Sequence, residues 1–316
     1  MEPAGQAALT SKQVFFKVLR LGRVKLPAVA YTLFLFGVLL AASSSGARFA
    51  FDRFAWGSAI VLAAVLSVNY GNDYFDTEVD RLNEASPISG GSGVLLKNPE
   101  LMYLSKWIAI CLMTLSIALA VAFVLVFRFP LFFIALVVLG NGLVWFYSAP
   151  PLRLSYRGLG EITTMLAAGL MLPCTGYFIM LGSLGSLFWI FSFPVVLYAL
   201  SVIVSVEIPD MEGDAKGGKH TLVARRGRRF GFVLIALSNL LATLYLSILS
   251  KSNLTQTSID LRLIAIFSLA PLATGILGLV ERTEDRNPAT RLVTFNVSAI
   301  SLMLLLTDCY FITTLM

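Results

Sequence analysis

The sequence predicts an all-α, polytopic membrane protein, and its composition and the length of its apolar runs are the two observations that predict it. Hydrophobic residues make up 57% of the 316 residues and charged residues only 13%, and the mean hydropathy is +0.82. A soluble domain carries roughly 25% charged residues. Because an α-helix needs about 17 to 25 apolar residues to cross a bilayer, long runs of such residues are read as membrane spans.

Nine runs are long enough to cross a membrane, and together they predict nine transmembrane helices. The runs occupy roughly 27–46, 54–72, 107–127, 130–149, 162–182, 187–206, 231–250, 262–280 and 293–315. The third and fourth are separated only by Arg128 to Pro130, where a proline favours a tight turn and the start of the next helix. We expect one membrane domain over residues 1–316, with residues 1–20 as a flexible cytoplasmic N-terminus.

The distribution of lysine and arginine predicts the orientation. With the N-terminus in the cytoplasm, the cytoplasmic segments 1–26, 73–106, 150–161, 207–230 and 281–292 carry 19 of the 24 basic residues. Cytoplasmic loops of membrane proteins are enriched in such residues. The net charge of +6 is therefore explained by topology, with the lipid bilayer as a partner, and it does not indicate a nucleic-acid partner.

The second run is followed directly by the acidic stretch NDYFDTEVD, residues 72–80. At about 100° per residue on a helix, most of its polar side chains fall within a sector of roughly 60°. Glu78 points the opposite way and is predicted to be dispensable. The polar face consists of Asn69, Asp73, Asp76 and Asp80, with Asn72 at its border.

A second acidic stretch, VEIPDMEGD at residues 206–214, follows the sixth run. Its acids Glu207, Asp210 and Asp214 recur at helical spacing on one face, while Glu212 lies off that face. Pro209 lacks a backbone donor and predicts a kink or an unwound turn at this point.

The two acidic faces together indicate a divalent cation. Each acid alone would be an ordinary solvated helix end, but crowded like charges repel unless a cation lies among them. Oxygen ligands favour Mg²⁺, which completes its octahedron with water and substrate phosphates. A diphosphate between the faces is therefore expected, with Lys216, Lys219, Arg153 and Arg157 as candidate basic partners. The Gly-rich segment 89–93 either cradles a phosphate or forms a lid or turn.

The motifs NDYFDTEVD and DMEGD (210–214) resemble the NDxxDxxxD and DxxxD signatures of the UbiA superfamily of intramembrane prenyltransferases. The loop YSAPPLRLSYRGLGE (147–161) and GGKHTLVARRG (217–227) are also similar to that family. The resemblance runs from about residue 20 to the end. It implies a helical bundle around a central cavity, in which a Mg²⁺-bound polyprenyl diphosphate is ionised and its prenyl group is passed to an acceptor.

The resemblance also implies roles for individual residues. Lys216 and Lys219 neutralise the leaving group, with Arg153 and Tyr147 as helpers, and Glu207 stands near a position where family members often have asparagine. Aromatic residues that could face the reacting cation are Phe51, Tyr70, Phe75, Trp145, Tyr147 and Tyr156. The metal and diphosphate ligands are Asn72, Asp73, Asp76, Asp80, Asp210 and Asp214, and Asp73, Asp76 and Asp210 are also catalytic.

The acceptor is the least constrained part of the prediction. The first motif region and the YRGLGE loop are most similar to the 1,4-dihydroxy-2-naphthoate prenyltransferase branch, which makes menaquinone precursors, so a quinone-precursor aromatic acceptor is expected. EIPDMEGD is instead similar to homogentisate prenyltransferases, and the overall pattern is shared with geranylgeranyl transferases that act on a glycerol-phosphate lipid. A cation-coupled transporter is the alternative from another class, although both acidic stretches are predicted at one face of the membrane, away from the midplane.

Overall fold

The computed structural model describes residues 9–23, 25–45, 49–84, 86–251 and 259–315, and every regular element in these ranges is a helix. The all-α prediction is confirmed. A seven-residue π-helical segment, Met165–Met171, lies between the helices Gly160–Thr164 and Leu172–Leu181. The helices are α1 Ser11–Leu21, α2 Lys25–Ser45, α3 Phe51–Phe75, α4 Thr77–Asp80, α5 Val94–Lys97, α6 Met102–Phe127, α7 Phe132–Ser148, α8 Gly160–Thr164, α9 Leu172–Leu181, α10 Ser186–Lys216, α11 Leu222–Arg226, α12 Arg228–Leu249, α13 Leu261–Phe267, α14 Leu269–Glu281 and α15 Arg286–Thr314.

Seven helical segments of the described chain are long and apolar enough to cross a membrane. Two shorter apolar helices, Ala28–Ser44 and Phe132–Ser148, coincide with the predicted runs 27–46 and 130–149, which is compatible with nine crossings. The seven long segments are Phe51–Phe75, Pro99–Phe127, Gly160–Leu181, Ser186–Lys216, Arg228–Leu249, Leu261–Glu281 and Arg286–Thr314.

Close helix packing at glycines holds α2 and α9 together. A Cβ atom on Gly37 would lie 2.0 Å from the carbonyl oxygen of Pro173, and one on Gly176 would lie 2.1 Å from the carbonyl oxygen of Phe34. In a bilayer, where apolar burial between helices adds little, small residues allow the backbone contact that drives association. These glycines therefore fix the two helices against each other, and both helices contribute side chains to the largest cluster of buried apolar residues.

Helix α10 departs from the prediction at its end. The predicted run stops at residue 206, but the helix continues without interruption to Lys216 and includes Pro209, so the unwound turn expected at this proline is not present. Two arginines bind carbonyl groups at this point: Arg228 Nε donates to the oxygen of Ile208 at 3.1 Å and Arg286 Nε to that of Pro209 at 2.9 Å. The second acidic stretch thus stays on the same rigid helix as the span before it.

Part of the N-terminal segment is helical. Residues 11–20 belong to α1, which begins with a capping box between Thr10 and Gln13; residues 1–8 lie outside the described part of the chain, and the flexibility expected of residues 1–20 stays a prediction. Phe15 and Phe16 on this helix are exposed, as is typical of an amphipathic helix at a membrane surface.

Candidate active site

A cavity of about 420 Å³ opens between α3, α7, α9 and α10, and both acidic stretches line it. One end is polar and carries the carboxylates. The rest is apolar, with walls that include Val65 of α3, Leu136 of α7 and Ile203 of α10. The predicted central cavity is therefore present, and it combines a charged region with space for an apolar chain.

The first acidic stretch lies at a break between two helices. Helix α3 ends at Phe75 and α4 begins at Thr77, so that Asp76 sits between them, with its backbone N–H bonded to the oxygen of Asn72 at 2.8 Å. Glu78 lies off the cavity face, as predicted: its side chain is 78% exposed and pairs with Arg81 at 3.4 Å. The predicted polar face of this region does line the cavity, with Asn69, Asn72, Asp73, Asp76 and Asp80.

Asp76 is the most heavily bonded acid of the site. Its Oδ2 accepts hydrogen bonds from Ser148 Oγ at 2.7 Å and from Lys219 Nζ at 3.0 Å. Its Oδ1 accepts one from the Tyr156 hydroxyl at 2.8 Å. Three side chains that lie at least 72 residues from Asp76 in sequence therefore converge on its carboxylate.

The partners of Asp76 keep their protons. Burial alone would lower the pKa of Lys219, but the carboxylates of Asp76 and Asp214 raise it above its ordinary value, so the side chain is an ammonium ion. Burial and the charge of Asp76 raise the pKa of Tyr156 to about 12, so this hydroxyl remains a donor at neutral pH. Lys219 is thus a fixed positive charge at the polar end of the cavity.

The segment 89–93 bridges the two acidic stretches. Ser89 Oγ donates to Asp210 Oδ1 at 2.8 Å and the N–H of Gly90 donates to Oδ2 at 3.1 Å. The N–H of Ser92 lies 3.3 Å from both oxygens of Asp73. The backbone of this segment therefore bonds protein carboxylates, which explains its serines and its glycines together.

Two glycines allow the close approach of backbone to the acidic stretches. A Cβ atom on Gly91 would lie 1.9 Å from Asp80 Oδ2, and one on Gly213 would lie 1.8 Å from Asn83 Oδ1. Asn83 in turn donates to Asp214 Oδ1 at 3.3 Å. Larger residues at either glycine would displace a carboxylate or its donor.

The charges that line the cavity do not balance. Among the residues that the structure describes, six carboxyl side chains but only two basic ones, Arg23 and Lys219, line it. Burial and the neighbouring acids Asp76 and Asp73, against the opposing effect of Lys219, raise the pKa of Asp80 to about 7. Among the described residues, no group of three or more histidine, cysteine, aspartate or glutamate side chains is arranged so that it could hold a metal ion by itself. The surplus of acids on two facing walls fits cations that arrive together with an anionic substrate.

Several predicted site residues lie outside the cavity lining. Lys216 is exposed and does not line the cavity. Arg153 is also outside the lining, but its guanidinium stacks 3.8 Å from the ring centre of Tyr156, the tyrosine that donates to Asp76. Of the six aromatic candidates, only Tyr147 lines the cavity.

Other residues of the site were not identified from the sequence. Arg23 lines the cavity and its Nη1 lies 3.8 Å from Asp73 Oδ1. In the sequence it is one of several basic residues before the first apolar run, so it indicated only the orientation in the membrane. Ser148, the last residue of α7, carries no signal of its own beyond its place in the YSAPP loop. Both become recognisable only once α1, α7 and α3 are seen to meet.

The sequence matches the UbiA prenyltransferase family over residues 30–303. A curated relative, 1,4-dihydroxy-2-naphthoate octaprenyltransferase of Bacillus subtilis (strain 168), is 26% identical over 101 residues. This match spans 32% of this chain and 32% of the relative, so about a third of each protein is compared.

Solved structures share the fold. A UbiA homolog from Archaeoglobus fulgidus, determined with GPP and Mg²⁺, has a TM-score of 0.67 at 17% identity and covers 95% of this chain and 99% of its own. A structure concerned with digeranylgeranylglyceryl phosphate synthase has a TM-score of 0.63 at 18% identity, with 95% and 99% coverage. With a family match over most of its length and the same fold as these structures, the chain belongs to the UbiA family of membrane prenyltransferases.

Proposed function

We propose that this protein transfers a polyprenyl group from an allylic polyprenyl diphosphate to a quinone-precursor aromatic acceptor such as 1,4-dihydroxy-2-naphthoate, and releases diphosphate. The observation that carries the proposal is that the acidic stretches of α3 and α10 line one cavity whose remaining walls are apolar. Such a cavity matches a substrate with an anionic head and a long hydrocarbon chain.

The residues that would hold Mg²⁺ are the oxygen ligands on the two facing walls. When bound, Mg²⁺ supplies positive charge that stabilises the departing diphosphate more in the transition state than in the ground state. An Mg²⁺ complex of GPP is named for the Archaeoglobus fulgidus homolog, which supports the same requirement here. The proposed ligands are Asn72, Asp73, Asp76, Asp80, Asp210 and Asp214.

Lys219 neutralises the leaving diphosphate in this proposal. Asp76 holds its ammonium group at 3.0 Å, and Ser148 and Tyr156 hold Asp76 in turn. Because these groups are fixed before the substrate binds, they cost little reorganisation during the reaction. Arg153 supports Tyr156 from outside, and the exposed Lys216 receives no role.

The apolar walls keep water from the allylic cation and hold the prenyl chain. An allylic cation is quenched by water, so a dry pocket is needed for transfer to the intended acceptor. The walls formed by α3, α7 and α10 contribute mainly aliphatic side chains. Tyr147, at the end of α7, is the aromatic side chain positioned to face the cation.

The active site opens on the cytoplasmic side in the proposed orientation, with the N-terminus also in the cytoplasm. The excess of lysine and arginine in segments 1–26, 73–106 and 207–230 supports this. Both acidic stretches then face the compartment that supplies a soluble diphosphate-bearing head group.

The nature of the acceptor is supported by the partial match to a 1,4-dihydroxy-2-naphthoate octaprenyltransferase. The alternative acceptors are a glycerol-phosphate lipid and homogentisate. The fold is similar to that of a structure concerned with digeranylgeranylglyceryl phosphate synthase, so the glycerol-phosphate lipid is included among the acceptors tested.

The test uses the purified protein in lipid nanodiscs with geranylgeranyl diphosphate, Mg²⁺ and each acceptor in turn. We expect release of diphosphate and a prenylated aromatic product identified by its mass, both abolished by EDTA. Product from the glycerol-phosphate acceptor alone would replace the acceptor assignment. Absence of any product, together with ion-dependent flux in liposomes, would replace the enzyme by a transporter.

A further inference from the structure

The cavity continues from the carboxylates into the middle of the helix bundle and ends there. Its deepest lining residue is Ile60 on α3 and Leu136 on α7. At about 1.5 Å per residue, Ile60 lies about 20 Å from Asp73 along α3. Leu136 lies about 18 Å from Ser148 along α7 by the same rise. Every described residue that lines the cavity is buried or half-buried, so side chains of the bundle limit its length.

Hydrogen bonds tie three helices together at the deep end of the cavity. Ser116 Oγ of α6 donates to the carbonyl oxygen of Ile60 at 3.0 Å, and Asn141 Nδ2 of α7 donates to Ser116 Oγ at 3.2 Å. All three residues line the cavity. Polar side chains that bond across helices hold them together within a bilayer. The spacing of α3, α6 and α7 is therefore fixed where the cavity ends.

Three packed phenylalanine rings lie immediately beyond this end, one each from α6, α7 and α9. The rings of Phe133 and Phe178 are stacked with centroids 5.7 Å apart, and that of Phe123 lies 5.0 Å from Phe133. All three are buried. Residues three or four apart on a helix share a face, so Phe133 follows Val137 and Phe178 follows Thr175 at the next turn. Val137 and Thr175 line the cavity, and the rings therefore close it.

The length of the cavity can be compared with that of a prenyl chain. Each isoprene unit contributes four chain carbons, and carbon–carbon bonds of about 1.5 Å give an extended chain about 5 Å per unit. With the diphosphate at the carboxylates, a placement that rests on the proposed function, a chain of about four units reaches the phenylalanine rings.

We propose that Phe123, Phe133 and Phe178 set the upper limit of the prenyl chain at about four isoprene units, so that geranylgeranyl diphosphate is the longest substrate used efficiently. A longer chain has to separate rings that are already packed against one another. Inserting carbon atoms into a close-packed interior forces side chains from their preferred rotamers. The three rings thus act on specificity for chain length and leave the charged end of the site unchanged.

The test measures kcat/KM for geranyl, farnesyl, geranylgeranyl, hexaprenyl and octaprenyl diphosphates in lipid nanodiscs. A single methylene that a hydrophobic pocket cannot hold changes specificity about 10- to 200-fold. We therefore expect wild type to use hexaprenyl diphosphate at least about tenfold less efficiently than geranylgeranyl diphosphate.

Phe133→Ala and Phe178→Ala remove the rings that close the cavity. Each substitution should raise kcat/KM for hexaprenyl diphosphate relative to geranylgeranyl diphosphate at least about tenfold. Phe188→Ala is the matched control, because this phenylalanine of α10 is also buried in the same cluster of apolar residues but its ring packs on Tyr177. The control should leave the preference for chain length unchanged.

A substitution at Gly140 of α7 tests the reverse change. This glycine lines the cavity, and a Cβ atom on it would lie 3.8 Å from the sulfur of Met171, so a larger side chain has room to enter the cavity. Gly140 lies about 12 Å from Ser148 along α7, the length of about two isoprene units. Gly140→Leu should therefore lower kcat/KM for geranylgeranyl diphosphate at least about tenfold more than that for geranyl diphosphate.

Two results would overturn the inference. One is a wild-type protein that uses hexaprenyl and octaprenyl diphosphates as efficiently as geranylgeranyl diphosphate. The other is an unchanged preference for chain length in the folded phenylalanine variants, or in Gly140→Leu if thermal unfolding shows that the phenylalanine variants do not fold.

Binding of non-reactive prenyl thiolodiphosphates of the same lengths separates this inference from the proposed function, because it needs no acceptor. Affinity that rises up to the geranylgeranyl chain and falls beyond it supports the limit set by the rings. If transfer is absent with every chain and acceptor while binding keeps this limit, the proposed function alone is refuted.

Discussion

Replacing Asp76 by asparagine tests the arrangement of the site most sharply, because the side chain keeps its size and loses only its charge. The introduced amide could still bond Ser148 and Tyr156, which donate to Asp76 at 2.7 and 2.8 Å, because a hydroxyl can either donate to the amide oxygen or accept from the amide nitrogen. The lost interaction is the ion pair with Lys219 at 3.0 Å, in which both side chains are largely buried. The ammonium group would then remain in the cavity without its bound counter-ion.

The size of the effect follows from that burial. Removing one partner of a buried ion pair costs about 3 to 5 kcal/mol in stability, and the two hydrogen bonds that remain place this variant near the lower value. Losing one fixed electrostatic group aimed at the developing charge lowers kcat about 100- to 1,000-fold. We therefore expect Asp76→Asn to lose at least about 100-fold in prenyl transfer and to unfold at a lower temperature.

The assay is release of diphosphate at saturating Mg²⁺ and geranylgeranyl diphosphate, with thermal unfolding measured on the same preparation. Glu78→Gln is the matched control, since it removes one acid of the same motif whose side chain is exposed and pairs with Arg81. It should keep activity within about twofold. An Asp76→Asn variant with more than a tenth of wild-type activity would refute the role given to this carboxylate.

Three further predictions follow from the contacts of single residues. The pKa of Asp80 is raised to about 7, so at lower pH Mg²⁺ has to displace a proton from this carboxyl group. The Mg²⁺ concentration for half-maximal activity should therefore rise by up to about tenfold per pH unit below pH 7 and level off above pH 7. A Mg²⁺ requirement that does not change with pH would contradict this. Gly91→Ala should cost about 1 to 3 kcal/mol of stability in thermal unfolding through its overlap with Asp80, whereas Gly142→Ala, whose Cβ would meet no described atom within 4 Å, should not. Lys219→Ala should lower turnover at least about 100-fold. Lys216 is exposed, so Lys216→Ala should lower turnover less than twofold; equal losses of turnover in the two variants would contradict the different roles given to the two lysines.

The fold and the acidic faces were predictable from the sequence because each depends on local pattern. Apolar runs of the required length predicted the helices, and helical spacing separated Glu78 and Glu212 from the acids that line the cavity; Glu212 indeed turns away and binds Arg228, its Oε2 lying 2.6 Å from Nη2. The continuation of α10 through Pro209 was not predictable, because the arginines that bind the carbonyl groups there come from α12 and α15.

The identity of the basic partners depended on tertiary contacts and was predicted only in part. Lys216 and Lys219 are three residues apart and look equivalent in sequence, but α10 ends at Lys216 and the turn that follows brings only Lys219 to Asp76. Arg23 was read as a topology signal because nothing local distinguishes it from Lys17 or Arg20. Its role follows from the contact between the end of α1 and α3, where Asn69 Nδ2 donates to the oxygen of Gly22 at 2.8 Å.

The central claim is that the acidic stretches of α3 and α10 form one site for a metal-bound diphosphate. It is tested most directly by calorimetric titration of a non-reactive prenyl thiolodiphosphate, with and without Mg²⁺, into wild type, Asp76→Ala, Asp210→Ala and the double variant. If the stretches share one site, binding requires Mg²⁺, each single substitution removes most of the affinity and the double variant loses little more, because residues of one site are not additive. Binding without Mg²⁺, or independent additive losses from the two substitutions, would contradict the claim.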